Sequence, residues 1–274
     1  MSCGYIHSSK TAYAQNAPVN PLKDPWNHID GLAVMLHSRG VEFYAPSETR
    51  KNISIPKFIT DPNPLGKAVI LMGSGFENHI KPEPLHNFFL RGGKVLIASD
   101  SPSVGKILAP FEVKLSSQHY ELDDTSRCYK KYKDCPIVDN FSSYYYQNFS
   151  RFTDRVVTNK TLAITKHPEY LHSCARLPFD SKYDANTFMV AGGYSKGKAI
   201  IMADHSVFIN LLFMEEDNRL FSESILTWFD KSYPTSEALI IFEGNIIGFD
   251  PNKKNPLSFD PSAQDPWNIA NINR

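Results

Sequence analysis

Ala68-Val69-Ile70-Leu71-Met72-Gly73-Ser74-Gly75 and, further on, Arg91-Gly92-Gly93-Lys94-Val95-Leu96-Ile97-Ala98 decide the fold. Both contain an unbroken apolar run with no polar alternation. That is the composition of a strand buried on both faces of a parallel sheet. The segment between them reads as a helix from about Glu83 to Arg91, with Pro84 in its first turn and Gly92-Gly93 stopping it. Two buried strands joined through a helix form a right-handed βαβ crossover.

Upstream, Asp24-Pro25-Trp26-Asn27 opens a helix whose Ile29, Leu32, Ala33 and Leu36 share one face and which Gly40 ends. Val41 to Tyr44 reads as a short strand. Downstream, Ser99-Asp100-Ser101-Pro102 turns into a short helix through Val104, Ile107 and Leu108. Residues 111–186 lack the apolar runs of an independent core and are rich in aromatics (Tyr144, Tyr145, Tyr146, Phe149, Phe152), so they read as a β-rich insertion. Phe188–Ala191 and Lys198–Met202 then flank Gly192-Gly193-Tyr194-Ser195-Lys196-Gly197 as a hairpin with a six-residue loop. A helix over Asn218–Phe229 and a strand over Glu237–Phe242 complete the pattern. The fold class expected is α/β, a three-layer sandwich with a mostly parallel, flavodoxin-like central sheet. Residues 1–23 read as a tether, 24–248 as one α/β domain with the insertion at about 111–186, and 249–274 as a Pro- and Asn-rich tail.

The 274 residues carry 29 Lys+Arg against 29 Asp+Glu, so nothing draws the whole chain toward nucleic acid or an anionic surface. The basic stretch Arg127–Lys133 reads as a solvated loop. No transmembrane segment is expected, since no window approaches the roughly 18 consecutive apolar residues of a span. There are four cysteines. Cys3, in Ser2-Cys3-Gly4 ahead of a polar stretch, has the placement of a lipid-modified Cys in a bacterial envelope lipoprotein, or it is an ordinary thiol near a disordered start. Cys128 and Cys135 flank a polar loop and are either bridged, if the compartment oxidises, or reduced. An envelope or periplasmic location is expected in preference to the cytoplasm.

Three groups of residues carry a family resemblance. They are the helix leading to Arg39-Gly40-Val41; the pair of runs quoted above, with Leu85–Leu90 between them; and Gly197–Asp204 with Phe208-Ile209-Asn210 and Asp217-Asn218. Over about residues 24–110 and 187–243 the chain resembles a bacterial domain family of unknown function often encoded beside MoxR-type ATPases. It is also similar to the related gliding-motility and intraflagellar-transport domain. Both belong to the class I glutamine amidotransferase-like superfamily, which implies a mostly parallel sheet between helices. Amidotransferases of that superfamily place a nucleophilic Cys in a strained strand-to-helix turn, backed by His and Glu. Here the matching turn is Ser99-Asp100-Ser101-Pro102, without Cys. Cys174 lies in the insertion, outside any such frame.

Ligands of open α/β sheets bind beyond the carboxyl ends of the strands. That rule selects Gly73, Ser74, Gly75, Asp100, Ser101, Asp204 and His205 as the candidate cleft. Gly73 and Gly75 either merely make the turn, the favoured reading, or would admit a ligand to the backbone where a helix start could take an anion. Asp204-His205-Ser206 are consecutive and cannot form a relay among themselves; Asp204 is expected to cap the next segment. Asn210, Asp217 and Asn218 are expected to make structural hydrogen bonds. The scattered histidines show no metal-ligand spacing, so no metal and no cofactor are expected. The chain reads as a non-catalytic binding or scaffolding protein with a protein partner or small ligand. The alternative is a hydrolase of a small ester, amide or sugar derivative, which needs His205 within reach of Ser74 or Ser101.

Overall fold

The computed structural model describes residues 28–44, 55–149 and 153–248. Cys3, the expected tether and the expected tail lie outside them. In chain order the elements of the first half are α1 (Asp30–Ser38), β1 (Glu42–Phe43), α2 (Ile55–Ile59), β2 (Lys67–Met72), α3 (Pro82–Leu90), β3 (Lys94–Ala98), α4 (Gly105–Leu108) and β4 (Lys114–Leu115). Then come β5 (Ile137–Val138), β6 (Asn140–Phe141), α5 (Ser143–Asn148), β7 (Val156–Val157), β8 (Ile164–Lys166) and β9 (Leu171–Arg176). The last are β10 (Thr187–Tyr194), β11 (Gly197–Met202), α6 (Asn210–Phe213), α7 (Asn218–Asp230), β12 (Glu237–Phe242) and β13 (Asn245–Ile246).

The main sheet runs β1-β12-β2-β3-β11-β10, continuing to β9, β8 and β4. From β1 to β11 every pairing is parallel. Helices flank this sheet as outer layers, giving the three-layer α/β sandwich expected. The runs that announced β2 and β3 are sealed from solvent along their length, which removes any need for polar alternation. Between them, α3 starts with Pro82 in its first turn and turns Leu85, Phe88 and Phe89 inward at helical spacing.

The parallel strands end level. Met72 pairs with both Ala98 and Phe242, and Ala98 pairs with Met202. The chain therefore leaves β2, β3, β11 and β12 along one row. Gly73-Ser74, Ser99-Asp100, Ala203-Asp204-His205 and Glu243 all emerge together at the carboxyl edge of the sheet.

Beyond β11 the sheet turns antiparallel. β10 and β11 pair through Tyr194–Gly197, so only Ser195 and Lys196 make the turn, with Ser195 at a φ of 54°. The expected six-residue loop is thus corrected: Gly192 and Gly193 belong to the strand. A Cβ on Gly192 would lie 1.9 Å from the carbonyl of Tyr170, the residue just before β9, so the glycine answers a close backbone contact and not a turn.

The insertion supplies the antiparallel half of the sheet and shares its core. Tyr145 is fully buried, stacks on Phe149 and Phe221, and bonds to Ser224 Oγ of α7 at 2.9 Å; Phe149 stacks on Trp228. Phe141, Tyr145 and Phe149 pack the insertion against α7.

Of the two states left open for Cys128 and Cys135, a bridge joining them to each other is not formed. Cys128 is a free, buried thiol, its sulfur 3.9 Å from the carbonyls of Asp124 and Lys133. The local bridge pairs Cys128 with Pro136, and the Cys135 sulfur faces Asn159 Oδ1 at 3.6 Å, so the two side chains diverge. Lys130, Lys131 and Lys133 are exposed, as a solvated loop requires.

Candidate functional site

The row of strand ends brings five side chains into one chain of contacts. Ser74 follows β2, Asp100 follows β3, Asp204 and His205 follow β11, and Glu243 follows β12. Asp100, Asp204 and His205 are buried, with exposures of 3%, 0% and 4%. His205 Nδ1 faces Asp100 Oδ1 at 3.4 Å and Asp204 Oδ1 at 3.9 Å. Its Nε2 lies 3.2 Å from Glu243 Oε1. The other oxygen, Glu243 Oε2, accepts from the Ser74 amide at 3.2 Å and the Ser74 hydroxyl at 2.8 Å.

Each carboxylate is held in place locally. Asp204 Oδ1 accepts from the Ser206 amide at 2.8 Å, and its Oδ2 accepts from the Asn159 amide at 3.0 Å and from the Ser206 hydroxyl. These bonds fix the turn leaving β11, whereas the 3-10 turn Ser206–Phe208 that follows has His205 at its N-cap position and no side-chain cap. Burial pushes the Asp204 carboxyl above its usual range and Asp100's charge adds to that, while His205 and the Ser206 bonds pull the other way. Asp100 is positioned by the turn around it: Ser99 Oγ donates to the Gly73 carbonyl at 2.6 Å and accepts from the Ser101 amide at 3.0 Å.

Glu243 reaches the cluster by an uncommon route. It sits in the turn joining β12 to β13 with a φ of 45°, a conformation that costs a non-glycine residue energy. Its carboxylate fills the space beside Gly73: a Cβ there would fall 2.4 Å from Glu243 Oε1. Gly73, at a φ of 76°, therefore leaves the room this contact needs. Glu243 is absent from the residues expected from sequence. The available signal was Glu243-Gly244-Asn245 directly after an apolar strand, an acid at a tight turn on the carboxyl edge.

The other expected residues divide. Ser101 turns away, its hydroxyl 2.9 Å from Ser103 Oγ. Gly75 leads, at a φ of 79°, only into the single 3-10 turn Phe76–Asn78, so no helix start is formed there to take an anion. The carboxylates around it make the cleft a place for positive charge instead. Asp100, Asp204 and His205 offer ligand atoms that all lie within 4.8 Å of one another, a grouping of the kind that could hold a metal ion. Sequence spacing hid the set, since Asp100 is brought to the other two only by the pairing of β3 with β11.

The remaining nucleophile candidates lie elsewhere. Cys174 is sealed inside β9 with its thiol donating to the His172 carbonyl at 3.3 Å, and burial pushes it up to about 12. No hydrogen bond joins His205 to Ser74 or Ser101 among the described contacts; Glu243 bridges Ser74 and the imidazole. No helix among the described residues is long and apolar enough to cross a membrane.

No family model matches the chain, and no curated protein sequence matches it. Among solved structures it is similar to the protein titled "mmIFT52 N-terminal domain", with 9% identity over 61% of this chain and 78% of that one and a TM-score of 0.44. It is also similar to the cytoplasmic protein STM1381 from Salmonella typhimurium LT2, with 17% identity over 74% of this chain and 87% of that one and a TM-score of 0.42. A cold-adapted β-galactosidase from Rahnella sp. R3 is 14% identical over 58% of this chain and 22% of its own, with a TM-score of 0.33. All three TM-scores lie below 0.5, so neither the site nor the chemistry of those proteins carries over to this chain.

Proposed function

We propose that this chain is a binding protein built on a degenerate amidotransferase-like domain, with its ligand cleft at the carboxyl ends of the central strands and no nucleophilic catalysis there. The observation that carries the reading is the setting of His205, whose imidazole stands among the carboxylates of Asp100, Asp204 and Glu243. A catalytic imidazole must be bonded to the hydroxyl or thiol whose proton it takes. Here the order is hydroxyl, carboxylate, imidazole, with Ser74 committed to Glu243. The turn where the superfamily resemblance would put a Cys carries Ser99, Asp100 and Ser101, and the Ser99 hydroxyl is committed to the Gly73 carbonyl.

The test is turnover by the full chain and by His205→Ala on p-nitrophenyl acetate, glutamine and p-nitrophenyl glycosides. The expected outcome is no rate above buffer for either protein. Saturable turnover by the wild type that disappears in His205→Ala would overturn the reading in favour of a hydrolase.

A further inference from the structure

We infer that Cys3 and Cys135 form an intrachain disulfide that ties the start of the chain to the insertion, beside the candidate cleft. Cys135 is half of a disulfide, whereas Cys128 and Cys174 are free thiols. The sequence holds four cysteines, so Cys3 is the sulfur that remains as its partner. Cys3 itself lies outside the described residues, and the state of Cys135 is what points to it.

The surroundings hold Cys135 firmly. It is fully buried; its amide donates to the Tyr132 carbonyl at 2.9 Å, and its carbonyl accepts from the Tyr129 amide at 2.9 Å. Its sulfur lies 3.6 Å from Asn159 Oδ1. The Asn159 amide in turn donates to Asp204 Oδ2 at 3.0 Å and to Ser206 Oγ at 2.9 Å, so Asn159 alone separates Cys135 from the cleft. The first described residue arrives at the same region: the His28 carbonyl accepts from the Asn210 amide at 2.6 Å, just past the Ser206–Phe208 turn. Residues 4–27 lie between Cys3 and His28. That length of chain reaches up to roughly 80 Å, against about 45 Å for the width of a domain of this size. The intervening segment is therefore long enough to close the bond.

Forming the S–S bond removes two protons and two electrons from the two thiols. Glutathione disulfide can take them by exchange, leaving as two glutathione thiols. The bond also decides between two uses of Cys3, because a sulfur in a disulfide cannot carry the thioether of a lipid anchor. Structural disulfides persist in oxidising compartments. The inference thus agrees with the envelope or periplasmic location expected from sequence and opposes the lipid attachment expected at Cys3.

The full chain is equilibrated with glutathione and glutathione disulfide, alkylated with iodoacetamide under denaturing conditions and digested with trypsin without reductant. The expected product joins residues 1–10 to residues 134–151, two hydrogens lighter than the two thiol peptides together, with Cys128 and Cys174 alkylated. An alkylated Cys135, or one joined to Cys128 or Cys174, overturns the inference. Electrophoresis without reductant separates a bond within one chain from a bond between copies. A monomer that migrates faster than its reduced form supports the inference, and a reducible dimer carrying the same peptide pair overturns it. Cys3→Ser leaves the buried Cys135 in place, so the test does not depend on replacing a packed side chain. Cys135 should then be fully alkylated; a Cys135 still bonded in that variant overturns the inference. Trypsin cleavage after Lys10 in the native, oxidised chain reads the tie directly. Residues 1–10 should stay with the domain until dithiothreitol is added, and their release without reductant overturns the inference.

Discussion

Glu243 and Gly73 form a pair in which each residue accounts for the other. The glutamate accepts a left-handed backbone to put its carboxylate over the end of β2, and the glycine there has no side chain to obstruct it. Gly73→Ala should therefore act twice, through the positive φ of 76° and by driving its methyl into the carboxylate. A loss of about 1–3 kcal/mol is expected, read as a lower midpoint of urea unfolding; an unchanged midpoint would contradict the packing described. At this scale the site was half legible. Asp100, Asp204 and His205 could be picked out because strand ends in a parallel sheet collect ligands, a rule that needs only the positions of the strands. Glu243 could not, since its role depends on a turn conformation that apolar patterning does not encode.

Among the elements, α7 shows how the chain fastens itself together with polar side chains. Asn218, fully buried at its first residue, accepts from the Val157 amide at 2.8 Å and donates to the Val157 and Leu212 carbonyls at 3.0 and 2.9 Å. Asp217 accepts from the amides of Asp154 and Arg155, and Asn210 reaches Asp30 of α1 at 2.8 Å. These residues fix loops, as sequence suggested, although Asp217 makes no side-chain cap to the helix. Asn218→Ala leaves three buried backbone groups without their partner and should cost about 2–4 kcal/mol, measured by chemical denaturation. A cost below the error of that measurement would mean that water replaces the side chain. The strands most easily read, β3 and β12, are those buried on both faces. β9 escaped notice because Leu171–Arg176 mixes buried and exposed residues and has no unbroken apolar run. Gly192 and Gly193 looked like a loop because the neighbour that demands them, the Tyr170 carbonyl, is invisible to local patterning.

At the scale of the whole molecule, one apolar cluster runs from α1 through the parallel strands into the insertion and α7. β12 is central to it, pairing on one side with β1 and on the other with β2. A chain ending at Ser236 would open the sheet between these neighbours and leave Ala68–Met72 with an unsatisfied edge. Such a protein should be insoluble or lack cooperative unfolding by circular dichroism. A soluble, cooperatively unfolding product would show that β12 is dispensable to the core.

The same placement of β12 sets a timetable for synthesis. β1 and β2 leave the ribosome early, yet the strand that separates them is translated only after the insertion and α7. At about 5–20 residues per second that interval is on the order of tens of seconds, during which the edge of β2 can pair with whatever strand it meets. This topology makes the nascent chain a client for chaperones that shield apolar edges, and it places the greatest risk of misassembly before the last central strand has emerged.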